Sequence, residues 1–145
     1  MELKSISELK KWMCENCYNN TFYSLDGNFI DEGFGVRKNE DGFYWYFTER
    51  GQEDIHETFK TEAEIVAFAY QHISSNLTAQ SHCLGLYKEQ MDRDKIIREL
   101  VKRNIKHTSD SIPYGGIKDP RFRIFVYGCD INKVADLLKN YPSSD

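Results

Sequence analysis

Long apolar runs are missing from this chain of 145 residues. A membrane-spanning helix needs about 18 or more consecutive apolar residues, and no stretch approaches that length. The first residues, Met1 to Ser5, also lack the basic and apolar regions of a secretory signal. These absences predict a cytoplasmic protein with no membrane partner. A composition of 40% hydrophobic and 29% charged residues is that of an ordinary globular chain.

Cysteines are few, and their spacing does not complete a metal site. Four of them in a chain of this length predict free thiols, because disulfide frameworks belong mainly to short secreted domains. Cys14 and Cys17 have the gap of a zinc or redox pair, but a structural zinc site needs a second pair at matched spacing. Cys83, Cys129 and the four histidines are scattered singly. We therefore expect no metal and no cofactor, with Cys14 and Cys17 as buried thiols on a helix.

A recognisable catalytic set is also missing. A nucleophile and base could combine Cys83 or Cys129 with a histidine, but nothing in the sequence pairs them. The glycine-rich stretches 33–35 and 113–116 complete neither a dinucleotide-binding nor a phosphate-binding motif. The sequence therefore predicts a protein that is not an enzyme.

Cations are scarce in the first half. Residues 1–80 carry 7 Lys and Arg against 14 Asp and Glu, a balance of −7, whereas residues 81–145 carry 12 against 9, a balance of +3. An acidic field repels nucleic acid and favours a cationic partner. We therefore expect a basic protein partner and no nucleic acid.

The outstanding positive feature is an aromatic run, residues 42–51, bounded by glycines. Bulky rings favour a pleated strand. Side chains alternate across a strand, so Phe43, Trp45 and Phe47 share one face, which we expect a helix to cover. The other face, with Tyr44 and Tyr46, either meets a partner or is covered as well.

The remaining patterns predict an α+β fold in a single domain, residues 1–145. The element order is α-β-β-β-α over about 1–76 and β-α-β-β-α over about 82–141, with helices on one face of antiparallel sheet. Capping boxes start helices at Ser5 and Thr61, Asp92 and Asp130 are expected caps for two more, and a polar connector spans 74–81. The helices are expected over about 6–18 and 62–75, with the last ending before Pro142. The predicted core is Trp12, Phe43, Trp45, Phe47, Phe68, Ile97, Leu100, Phe125 and Leu137.

Two candidate sites follow from charge and position. Carboxylates cluster at the hairpin ends beside the aromatic strand, where they form either a solvated rim or an acidic surface for a basic partner. The predicted partner-binding residues are Glu40, Asp41, Tyr44, Tyr46, Glu53 and Asp54. The alternative site lies near the 113–120 loop, where Lys118, Arg121 and Arg123 could bind an anionic metabolite in a small ligand-sensing or regulatory domain, or could simply be solvated.

Three segments, residues 41–51, 59–64 and 125–130, resemble a pattern found in small bacterial α+β immunity proteins of polymorphic toxin systems. The resemblance covers most of the chain. It implies a cytoplasmic, stoichiometric inhibitor that binds a sibling cell's toxin, often a nuclease, and covers its active site or holds it inactive. It implies no catalytic residues.

Overall fold

The computed structural model describes residues 2–138. The chain is α+β, as the sequence predicts, and divides after Gln80 into two compact units. No helix within the described range is long and apolar enough to cross a membrane.

The first unit contains a four-stranded sheet and three helices. Its elements are α1 (Ile6–Glu15), β1 (Tyr23–Ser24), β2 (Glu32–Asn39), β3 (Gly42–Glu49), β4 (Gln52–Phe59), α2 (Glu62–Ser74) and α3 (Leu77–Gln80). The sheet order is β1-β2-β3-β4, with β2, β3 and β4 forming an antiparallel meander. The short β1, which the sequence did not indicate, lies parallel to β2.

Both predicted capping boxes are present. The Ser5 hydroxyl accepts from the Glu8 amide at 3.1 Å, and the Glu8 carboxylate accepts from the Ser5 amide at 3.1 Å. Thr61 and Glu64 form the same pair at the start of α2. These bonds satisfy amide groups that have no partner within the helix.

Helix α1 ends earlier than the apolar spacing predicts. Cys17 has a φ of 58°, the left-handed conformation that closes many helices. The Tyr18 amide donates to the Met13 carbonyl at 2.9 Å, and the Cys17 amide donates to the Cys14 carbonyl at 3.1 Å. Cys17 therefore lies outside the helix, and the expectation that it shares a helical face with Cys14 is wrong.

The core of the first unit forms around Trp45, whose side chain is 1% exposed. As predicted, α2 covers this face of β3: Phe68 lies 5.4 Å and His72 lies 5.1 Å from the Trp45 ring centre. Leu9 of α1 joins the same cluster. Trp12, Phe43 and Phe68 are partly buried against it, whereas Phe47 lies at its margin and packs on Phe34 and His56.

The predicted polar connector is more ordered than its composition suggests. Ala79, within α3, is fully buried. The Asn19 amide donates to the Ala79 carbonyl at 2.9 Å, and the Asn19 side chain donates to the Thr78 carbonyl at 3.1 Å. These bonds fix α3 to the segment that follows α1.

The second unit contains a three-stranded antiparallel sheet in the order β5-β7-β6. Its elements are β5 (Ser81–Tyr87), α4 (Gln90–Lys102), β6 (His107–Ile112), β7 (Arg121–Tyr127) and a 3-10 helix (Gly128–Leu137). The sequence-predicted order is confirmed, but both expected caps are wrong. Asp92 lies in the first turn of α4, after Glu89, and Asp130 lies inside the 3-10 helix, which breaks at Val134. The end expected before Pro142 falls outside the described residues.

The core of the second unit lies on the face of β7 that carries Ile124 and Val126, both fully buried. Leu100 of α4 is also fully buried there, with Ile97 and Leu137 packed at its edge. The prediction that Phe125 belongs to this core is wrong. Phe125 alternates with Ile124 and Val126, so it occupies the opposite face of the sheet, with the Arg123 guanidinium 5.0 Å from its ring centre.

Candidate partner-binding site

The face of β3 opposite the helices carries Tyr44, Tyr46 and Thr48, as the alternation predicts. Directly opposite residues share a face, so Arg37 and Gly35 of β2 join Tyr44 and Tyr46 there. Together with Glu53, Ile55 and Thr58 of β4, these residues form what we call the outer face. Tyr44 is half-buried on this surface, and Ile55 is 56% exposed.

Tyr46 is not the exposed anchor that the sequence predicts, because its side chain is only 3% exposed. Its cross-strand partner is Gly35, which has no side chain to hold the ring away from the sheet. The ring and hydroxyl of Tyr46 occupy the space that a Cβ on Gly35 would need. The Arg37 guanidinium lies over the same ring, 5.1 Å from its centre. Tyr46 therefore covers the sheet instead of projecting from it.

The Arg37 side chain reaches across β3 to Glu53. Its Nε and Nη2 atoms donate to the two Glu53 carboxylate oxygens at 3.0 Å and 2.6 Å. This hydrogen-bonded pair lowers the pKa of Glu53 and raises that of Arg37. Glu53 is thus partly neutralised, and its carboxylate is used to hold Arg37 over Tyr46.

The acidic residues predicted for one surface lie at two ends of the sheet. Glu40 and Asp41 form the β2–β3 turn, where the Asp41 amide donates to the Asn39 side chain at 2.9 Å. Glu53 and Asp54 begin β4, after the opposite turn. Strand β3 separates the two pairs by about 3.3 Å per residue, or roughly 23 Å. These predicted partner-binding carboxylates therefore do not form one continuous surface around the tyrosines.

Asp54 also faces away from Tyr44 and Tyr46. It pairs in register with Phe47, on the helix-covered side, and one of its oxygens lies 3.4 Å from His56 Nε2. A β-bulge follows, because β4 has one more residue than β3 between the Tyr46–Ile55 and Trp45–Glu57 pairs. The predicted site residues did not include Arg37, Ile55 or Glu57.

The alternative anion site is already occupied by carboxylates. Arg121 donates to Asp119 at 2.5 Å and stacks on the Tyr114 ring at 4.7 Å. Arg123 makes two hydrogen bonds to Asp110, at 2.8 Å and 2.5 Å, which lower the pKa of that carboxyl group. Lys118 is exposed in the loop. An anionic metabolite would have to compete with both aspartates.

A cleft of about 440 Å³ opens in the first unit away from either predicted site. Tyr18, Tyr23 and Asn28 are among its lining residues, together with Lys10 and Asp26. Lys10 and Asp26 form an ion pair with each other. Their charges therefore offset one another in the lining, which gives the cleft little attraction for an anion.

The cysteines differ from the expectation of four free thiols. Cys14 is free but exposed, so the prediction that it is a buried thiol is wrong, and Cys83 is free and half-buried. Cys17 and Cys129 are disulfide-bonded, so the prediction is wrong for these two. Within residues 2–138, no cluster of three or more His, Cys, Asp or Glu side chains could hold a metal ion.

No family model, curated protein or solved structure matches this chain. The function of this chain is therefore inferred from the geometry above and from the resemblance described from the sequence.

Proposed function

We propose that this chain is an immunity protein, which binds a cognate bacterial toxin and neutralises it as a stoichiometric inhibitor. The observation that carries the proposal is the outer face of the first unit. The two long helices of this unit, α1 and α2, lie on the other side of the sheet. The outer face presents a half-buried aromatic, Tyr44, and on the same face the exposed Ile55. Aromatic residues with an apolar neighbour and a charged rim are typical of protein-binding surfaces.

The acidic balance of the first 80 residues supports a basic partner, because opposite charges raise the rate of encounter. Nuclease toxins carry basic surfaces that bind phosphates, so a nuclease fits this charge. The resemblance to immunity proteins supplies the biological class. We propose in addition that the protein neutralises the toxin in the cytoplasm.

The direct test uses the gene next to the one that encodes this chain. We expect that gene to encode a long secreted protein, whose C-terminal domain stops growth when expressed in the cytoplasm. Co-expression of this chain should restore growth, and the two proteins should elute as a one-to-one complex. If the domain is toxic and this chain neither restores growth nor binds it, the proposal is wrong.

Two matched pairs of variants locate the surface. Tyr44→Ala should speed dissociation at least tenfold if the ring is an anchor, whereas Tyr114→Ala, which truncates an exposed tyrosine in the second unit, should not. Replacing Glu40 and Asp41 by lysine tests the acidic residues of the β2–β3 turn, and replacing Asp54 and Glu57 by lysine tests the acidic residues of β4 that Arg37 does not bind. The group that faces the toxin is the one whose reversal slows association and weakens its salt dependence.

A further inference from the structure

Strand β4 is the open edge of the sheet in the first unit. It pairs with β3 on one side and ends the order β1-β2-β3-β4. Of its eight residues, Gln52 to Thr58 are exposed and only Phe59 is half-buried. The opposite edge, β1, has only two residues. An edge strand of this length presents a row of unpaired amide and carbonyl groups, which is a template for another strand.

The register indicates which backbone groups point outward. Arg50 and Gly51 form a two-residue turn, with φ values of 54° and 79°, and Glu49 pairs with Gln52 across it. The turn bond makes that pair a hydrogen-bonded one, and such pairs alternate along antiparallel strands. The amide and carbonyl groups of Glu53 and Ile55 therefore point away from β3.

We propose that β4 is a docking edge, at which an extended basic segment of the partner adds as a further strand. The charge of β4 decides the occupant. Glu53 is already paired with Arg37, but Asp54 and Glu57 lie within a span of four residues, and no Lys or Arg occurs between residues 51 and 59. A second copy of the chain would place these carboxylates against each other, which destabilises cross-strand pairs. A strand that carries Lys or Arg would pair with them.

The two faces of β4 define the pattern that the added strand should have. Asp54 and Glu57 pair in register with Phe47 and Trp45, so they lie on the helix-covered face. Ile55 pairs with Tyr46 on the outer face. A partner strand with cations on the first face and apolar side chains on the second complements both. Backbone hydrogen bonds supply affinity in this mode of recognition, and alternate side chains supply specificity.

This inference rests on the proposed function for the natural partner, but its first test needs no toxin. The probe is a blocked eight-residue peptide of alternating Lys and Val, titrated into the ¹⁵N-labelled full-length protein at low salt. The amide signals of Glu53 and Ile55 should shift and saturate. A peptide of alternating Glu and Val should leave them unmoved, and so should a Lys/Val peptide interrupted by proline.

Variants distinguish strand addition from charge attraction alone. Ile55→Pro removes an outward amide that β3 does not use, a position where an edge strand tolerates proline. It should weaken peptide binding at least tenfold, while Ile55→Ala, which keeps the amide, should weaken it less than threefold. Should Ile55→Pro fail to fold, the proline-interrupted Lys/Val peptide makes the same distinction, because it keeps the cations but loses the amide that strand pairing needs. The exposed pair Asp54→Lys with Glu57→Lys then tests the charge of β4 and should abolish binding.

The second test uses the complex with the neighbouring toxin domain. Hydrogen exchange at Glu53 and Ile55 should slow when the toxin binds. If the complex forms and restores growth but hydrogen exchange at these two amides does not slow, the docking edge is wrong. The proposed function stays intact in that case. If the Lys/Val peptide shifts these signals but the chain does not restore growth, the docking edge is supported and the proposed function is wrong. If neither Glu53 nor Ile55 responds to the Lys/Val peptide, or if the protein dimerises through β4, the docking edge is wrong.

Discussion

Tyr46 should contribute to the stability of the first unit instead of anchoring a partner. Its ring is 3% exposed, fills the space over Gly35 and lies under Arg37. Burying a tyrosine removes at least about 150 Å² from water, which at about 25 cal/mol/Å² amounts to about 4 kcal/mol. The denatured chain already hides part of that area, so we expect Tyr46→Ala to lower the free energy of unfolding by about 3 kcal/mol.

Tryptophan fluorescence during urea unfolding measures this loss in the relevant unit, because Trp12 and Trp45 are the only tryptophans and both precede residue 81. Tyr46→Phe keeps the ring and should cost less than about 1 kcal/mol. Tyr44→Ala truncates a half-buried ring and should cost about half as much as Tyr46→Ala. A change below about 1 kcal/mol for Tyr46→Ala would refute this argument and return Tyr46 to the list of anchors.

The contact with Gly35 gives a second measurement of the same arrangement. A methyl group on Gly35 overlaps the Tyr46 ring, so Gly35→Ala should destabilise by about 1–3 kcal/mol. When Tyr46 is already alanine, the overlap is gone and Gly35→Ala should cost little. The two effects should therefore be non-additive by more than about 1 kcal/mol. Additive effects would show that Gly35 and Tyr46 do not share this space.

Three further predictions concern ionisable groups and a cap. Burial lowers the pKa of His72, so the unfolded chain binds a proton that the folded chain excludes. The free energy of unfolding should therefore fall as pH drops below about 6.5, before carboxyl groups titrate. His72→Gln should reduce the change in the urea unfolding midpoint between pH 7.5 and 5. Burial also raises the pKa of the Cys83 thiol, so maleimide at neutral pH should label the exposed Cys14 before Cys83. Mass spectrometry measures the order of labelling, and faster labelling of Cys83 would contradict this prediction. Ser5→Ala should cost about 1 kcal/mol in the fluorescence assay through its lost cap, and Ser5→Asp should not.

The elements of the fold were predictable because local signals and burial pattern agree. Each capping box predicted a helix start that the structure contains, and the glycine-bounded aromatic run predicted β3. One failure occurred where the backbone stops following a simple period, and another where a regular period was not applied. Cys17 fits a helical spacing with Cys14 in the sequence, but its left-handed φ ends the helix. Phe125 is as apolar as its neighbours, yet strand alternation puts it on the face opposite Ile124 and Val126.

The site was harder to predict than the fold because it depends on three strands at once. Counting back from the Asn39–Gly42 turn places Gly35 opposite Tyr46, so the sequence contains the information that this ring has room to lie flat. The sequence does not show that Arg37 then reaches across β3 to Glu53. Glu53, which the sequence assigns to the predicted binding surface, forms an ion pair with Arg37 in the fold.

The bulge in β4 explains why the acidic rim cannot be assigned to faces by alternation alone. Strict alternation from Glu53 would put Ile55 and Glu57 on one face, beside the tyrosines. The extra residue at His56 shifts the register, so Glu57 pairs with Trp45 on the helix-covered side while Ile55 pairs with Tyr46 on the outer face. The bulge thereby separates Ile55 from Glu57 along a single exposed edge, while Glu53 stays on the outer face, paired with Arg37. A partner strand at this edge meets Asp54 and Glu57 on one face and Ile55 on the other.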